Sequence, residues 1–262
     1  MKTYDLIVSL GGSCAEANQL KVRGLRLVSL PFDWIFTKDP AFLGRLAVCF
    51  KEDFVNWMKP ENLMEVDSGE RNPKAAKYQY RDTYTGYCFI HDFLGPKEEY
   101  GEKVRNKYRR RIERLYERLH QAKIIALCFD AGFAGSEGPL LAIRDLILDK
   151  FGTEKVIDCY LVEFNAPKYE IVYDGALTVY RFNHPKHDYI FGNQASFEFA
   201  YMDEFLVSNM FKSEERGKGN RIYLAHTAHG IKCIFFKNKK KRFHVDLGIG
   251  SRKYEFSFGG TR

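Results

Sequence analysis

The chain has 262 residues, 45% of them hydrophobic and 15% aromatic, with a formal net charge of +7. That composition excludes a disordered chain, and 262 residues are enough for one full core. No apolar run approaches the ~18–20 residues of a membrane span, and the positive charge permits an acidic partner without demanding one.

The first element is the apolar strand Thr3–Leu10, which stops on Gly11-Gly12-Ser13 and feeds a short helix over Ala15–Val22 closed by Gly24. The run Leu6-Ile7-Val8 is too short for a secretory signal, and Asp5 puts a charge where none belongs. Residues 27–36, "LVSLPFDWIF", are apolar and aromatic and break at Pro31. Phe42, Leu46, Phe50, Phe54 and Trp57 share a helical spacing across 39–58, whereas 60–85 is polar and reads as a long irregular excursion. "GYCFIHDFL" (86–94) reads as a strand, and 103–121 as an amphipathic helix with a stripe of Val104, Tyr108, Ile112, Leu115 and Leu119. Its Arg109-Arg110-Arg111 triplet is balanced by Glu113 and Glu117, the pattern of a solvated face.

A buried strand over 123–130 is followed by a helix with Pro139 near its start and Gly152 past its end, then by the strand 156–164. A strand pair around Asp174-Gly175 and a helix-like stretch over 195–211 complete this part. Strands alternating with helices predict an α/β class: a largely parallel central sheet with helices on both faces and a Rossmann-like opening. Residues 1–211 form that domain. Residues 212–220 read as a linker, and 221–262 as a small antiparallel β extension packed on the domain, its hairpin tip at "KNKKKR" (237–242). Lysines at such a tip keep a strand edge soluble, so no specific nucleic-acid binding is expected.

Six cysteines are scattered through the chain without a C-x-x-C pair, which predicts reduced thiols in a cytoplasmic protein. Cys14 differs from the rest, because a glycine turn places it at a helix start. There the helix dipole favours the thiolate, and the backbone amides of Gly11, Gly12, Ser13 and Ala15 are candidate oxyanion or anion donors. Of the seven histidines, His91 ends an apolar strand, where active-site groups of α/β sheets emerge. Asp92 would point to the opposite face of a regular strand, so Asp33 of "PFDW" is the first candidate to orient His91, with Trp34 in the same pocket. His184 and His187 are the next candidates. Neither the His184/His187 pair nor the His226/His229 pair has a third metal ligand in view, and no metal or cofactor is expected.

Three stretches carry a family resemblance: "YDLIVSLGGSCAEANQLKVRGLRLVSLPFDWIF", "GYCFIHDF" and the basic helix with "KYRRRIERL". Together they resemble a bacterial domain family described as putative papain-like cysteine peptidases, over about residues 3–165. The resemblance implies a thiol hydrolase with Cys14 as nucleophile, His91 as base and Asp33 or Asp92 as orienting carboxylate. Its partner would be a peptide, ester or glycan-linked substrate. Two other readings fit the same turn. One is an esterase-like or glycan-modifying hydrolase, and the other a non-catalytic module that grips an anion such as phosphate.

Overall fold

A computed structural model describes residues 1–37, 39–67, 76–130, 135–185 and 197–208, together with the backbone of four later strands. His187, His226, His229, the 212–220 linker and residues 238–242 of the basic tip lie outside the described residues. The chain divides into two units, Met1–Val207 and Ser208–Arg262.

The first unit is built on a five-stranded sheet. Its strands are β2 (Leu6–Ser9), β6 (Ile124–Asp130), β7 (Val156–Glu163), β9 (Leu177–Arg181) and β8 (Glu170–Asp174), in that spatial order. The first four run parallel, and β8 pairs antiparallel with β9 across the Gly175 turn. This is the predicted α/β class. The opening strand is divided: β1 (Lys2–Tyr4) pairs with β10 (Phe205–Val207), and only β2 joins the main sheet. Asp5 makes the break, because its carboxylate accepts the amides of Lys123 and Ile124 at 2.9 and 3.0 Å.

One face of the sheet carries α1 (Cys14–Val22) and a 3-10 helix, Phe197–Glu204, over a core that includes Ile7, Ala126, Cys128, Val162 and Phe182. The helix expected over 195–211 is therefore a 3-10 turn followed by the strand β10, which completes β1. Beyond the sheet's other face lie α2 (Phe42–Lys51), α3 (Lys97–Gln121) and α4 (Glu137–Phe151). The Phe42 ring lies 4.8 Å from that of Phe129 on β6. Helix α2 ends before the apolar spacing does, since Asp53, Phe54 and Met58 take positive φ. Phe54 and Trp57 instead turn back onto Phe32, at ring distances of 6.0 and 5.8 Å.

A second, antiparallel sheet lies within the first unit: β3 (Leu63–Glu65), β4 (Tyr78–Asp82) and β5 (Cys88–Phe93). The 60–85 stretch thus contributes two strands rather than an irregular excursion. In the second unit, β11 (Arg221–Tyr223), β12 (Lys232–Lys237), β13 (Phe243–Ile249) and β14 (Arg252–Phe258) form an antiparallel meander. No helix among the described residues is long and apolar enough to cross a membrane.

Candidate active site

The site is assembled where β2 ends. Gly11 and Gly12 take φ of +91° and +90°, a region that favours glycine, and the chain reverses there into α1. Both glycines are also tightly walled. A Cβ on Gly11 would lie 3.3 Å from the Phe32 carbonyl oxygen, and one on Gly12 only 2.6 Å from that of Asp130. Thr37 donates its amide to the Gly12 carbonyl at 3.3 Å, and Tyr87 donates its hydroxyl to the Leu10 carbonyl at 2.9 Å. The turn is gripped by β6 on one side and by the "PFDWIFT" segment and Tyr87 on the other.

Ser13 is the N-cap of α1, its Oγ accepting the Ala15 amide at 3.2 Å and donating to Asp130 Oδ2 at 2.9 Å. Glu16, three residues on, is fully buried and accepts from Ser9 Oγ at 2.6 Å, which fastens the first turn of α1 to β2. Cys14 is the first helical residue and is half-buried. Of the four expected amide donors, Gly11 bonds to Ser9 Oγ at 3.3 Å and Ala15 to Ser13 Oγ. Among the described residues, the amides of Gly12 and Ser13 donate to none.

Asp130 receives no role from the sequence, although an acid closing a buried parallel strand beside a glycine turn stands where α/β sheets bind ligands. That position was the available signal.

The remaining predicted residues make contacts of their own. Asp33 is buried (2% exposed), paired with Arg26 at 2.7 Å, and accepts the Leu30 amide at 2.8 Å. Burial raises its pKa, while Arg26 and the Leu30 amide oppose the shift. Trp34 is half-buried with the Arg26 guanidinium 5.2 Å from its ring. Phe32 is the residue of "PFDW" that touches the glycine turn.

His91 is exposed on β5. Partial desolvation lowers its ring pKa, Lys107 adds to the effect and Asp92 opposes it, so the imidazole is neutral at pH 7. Strand β5 is irregular at this point, since Tyr78 and Tyr80 of β4 pair with Phe93 and Phe89. The irregularity turns Asp92 to the α3 side, where Phe89 also packs. Asp92 accepts from Tyr108 Oη at 2.8 Å and pairs with Lys107, and the Phe89 ring lies 5.0 Å from that of Tyr108. The carboxylates of Asp33 and Asp92 are thus each engaged by cations or hydrogen-bond donors of their own.

The model of a family described as "Putative papain-like cysteine peptidase (DUF1796)" matches residues 5–148, more than half of the chain. The chain belongs to this family. The matched stretch runs from β2 into α4, so it contains Cys14, the glycine turn, Asp33, His91, Asp92 and Asp130. The chain is also 28% identical over 128 residues to "Uncharacterized protein R408" of Acanthamoeba polyphaga mimivirus, a viral rather than a bacterial relative. The match covers 44% of this chain and 57% of the viral protein. No solved structure matches the chain.

Proposed function

We propose that this member of the putative papain-like cysteine peptidase family is a thiol hydrolase that cleaves an amide or ester bond with Cys14 as nucleophile. One observation carries the reading: Cys14 opens α1 directly after a strained glycine turn, next to the Gly12 and Ser13 amides. The helix start favours the thiolate, and those amides would meet the oxyanion formed when Sγ adds to a carbonyl carbon. The family resemblance implies His91 as proton acceptor, and a ring that is neutral at pH 7 is in the accepting form. The five described cysteines form no disulfide among themselves, which supports a reducing, cytoplasmic setting.

The test is iodoacetamide competition on the folded protein at pH 7, with each modified cysteine located by mass spectrometry. Burial pushes the Cys49 and Cys159 thiols up to about 12, leaving roughly one part in 10⁵ as thiolate at pH 7, and it also raises Cys128 well above its ordinary value. Cys14 is expected to react well before these and before buried Cys88. Equal rates at Cys14 and Cys88 would remove the enzyme reading. The Gly12 and Ser13 amides would then favour the anion-binding module, which phosphate titration would reveal.

A further inference from the structure

Strand β8 is the open edge of the main sheet. It pairs with β9 along all five residues without a bulge, from Glu170 opposite Arg181 to Asp174 opposite Leu177. The two-residue turn Gly175-Ala176 makes Asp174 and Leu177 a hydrogen-bonded pair, so Glu170, Val172 and Asp174 turn their amides and carbonyls to β9. The amides and carbonyls of Tyr169, Ile171 and Tyr173 point outward, and among the described residues they meet no partner. The same three residues are 56%, 37% and 74% exposed. Ile171 stands opposite Tyr180, whose ring lies 4.7 Å from that of Tyr201, which places the three on the α1 face of the sheet. Phe197, 60% exposed, continues the patch, since the Phe182 ring lies 5.4 Å from Tyr169 and 5.3 Å from Phe197.

Edge strands usually carry a proline, a bulge or a charge that blocks further pairing, and the stretch 171–173 has none of these. We infer that two copies of this chain associate by pairing β8 antiparallel with itself, with the two-fold axis at Ile171, into one continuous sheet. The strand is complementary to itself in that register. Ile171 faces the partner's Ile171, Tyr169 faces the partner's Tyr173, and Lys168 faces the partner's Asp174 with opposite charge. Every outward amide and carbonyl of residues 169, 171 and 173 is then paired. The neighbouring registers fail. An axis at Val172 sets Glu170 against the partner's Asp174, a pair of like charges. An axis at Glu170 sets that carboxylate against the partner's Glu170, and Tyr173 against the partner's Pro167, which has no amide to donate. An axis between two residues sets outward-pointing backbone against inward-pointing backbone and forms no ladder.

The pairing also joins Tyr169, Ile171 and Tyr173 of both copies into one layer on the α1 face, with aromatic residues of the kind that interface cores favour. Five strand residues per copy make a small interface, so the dimer forms and dissociates with concentration. The inference stands apart from the chemistry at Cys14. Strand β8 is farthest from β2 in the sheet order, and it lies beyond the family's matched residues 5–148. Association should therefore leave Cys14 alkylation unchanged.

Sedimentation velocity from about 1 µM to about 300 µM covers the affinities expected of a small interface, and the wild type should pass from monomer to dimer across it. Ile171→Lys sets two like charges against each other at the axis. It should weaken association at least about tenfold while the melting temperature of dilute protein holds. Asp174→Lys should weaken it by about threefold or more, and adding Lys168→Glu should restore it. Ile171→Cys tests the axis by itself. Opposed residues of a hydrogen-bonded pair have Cα atoms about 5.5 Å apart, within disulfide reach, so mild oxidation should link the two copies through position 171. Tyr173→Cys, about 13 Å from its counterpart, should not be linked. A chain that stays monomeric at about 300 µM overturns the inference, whether or not another protein uses the edge. So does a dimer that Ile171→Lys leaves intact, or one linked no better through Ile171→Cys than through Tyr173→Cys.

Discussion

Substituting Gly12 by Ala isolates the feature on which the site depends. Two penalties apply. A non-glycine residue in the left-handed region costs about 1–2 kcal/mol, and Gly12 sits at φ +90°. The new Cβ would also meet the Asp130 carbonyl oxygen at 2.6 Å and Phe129 Cε2 at 3.0 Å. That oxygen is backbone at the end of a central strand, so the turn must move instead, at an overpacking cost of about 1–3 kcal/mol. Together the loss is about 2–5 kcal/mol, and a unit of roughly 200 residues loses about 2–4 °C per kcal/mol. Scanning calorimetry at pH 7 should therefore show a fall of about 4–20 °C. Gly44→Ala is the control: a Cβ there meets nothing within 4 Å inside α2, so the change should stabilise by about 0.5–1 kcal/mol. Because the turn carries Ser13 and Cys14, Gly12→Ala should also slow Cys14 alkylation. A variant that melts within a degree of the wild type would refute the tight packing of the turn against β6.

Ser13→Ala removes the N-cap of α1 and the donor to Asp130 Oδ2. The cap alone is worth about 1 kcal/mol, and the lost hydrogen bond to the Asp130 carboxylate adds about 1.5–3 more. Urea denaturation checks this, and a loss below about 0.5 kcal/mol would mean that neither contact holds the turn. Arg26→Ala strips the buried Asp33 of its ion-pair partner, at a cost of about 3–5 kcal/mol at pH 7.5. Asp33 has a raised pKa, so it binds its proton more tightly folded than unfolded, and its contribution to stability falls as pH rises through that window. The Arg26→Ala loss should accordingly shrink at pH 5, where Asp33 can protonate, and equal losses at both pH values would exclude Asp33 as the cause.

The sheet was readable because its strands are continuous apolar runs bounded by glycine and separated by periodic helices, as at 123–130 and 156–164. Cys14 was readable for a local reason, since strand, glycine turn and helix start fall within ten residues. Features decided by contacts distant in sequence were not. Phe54 and Trp57 keep a helical spacing from Phe42, yet they answer to Phe32 and not to α2. The strand Tyr78–Asp82 lies in a polar stretch and exists because it pairs with β5. The irregularity that turns Asp92 toward Tyr108 leaves no mark in "CFIHDF". For the same reason "PFDW" shows a carboxylate but not Arg26 beside it. Nor does the sequence show that Asp130, 117 positions downstream, meets Ser13 at the sheet edge.

The electrostatics of that edge yield a further prediction. The helix start favours a Cys14 thiolate, but its immediate neighbours include two acids. Ser13 Oγ bonds to Asp130, and buried Glu16 lies two residues further along α1. A nearby carboxylate opposes thiolate formation, and any carboxylate at about 6 Å would do so by about 2–3 kcal/mol at an effective dielectric of ~20, the same order as a helix dipole's help. A thiol in that field ionises readily only if a cation forms beside it as the proton leaves. Asp130→Asn keeps an oxygen acceptor for Ser13 Oγ while removing the charge. It should therefore lower the inflection of Cys14 alkylation by about one to two pH units and leave α1 capped. An inflection that stays or rises would show that Asp130 acts on Cys14 only through the geometry of the turn. The dipole would then be enough to make the thiolate without a partner.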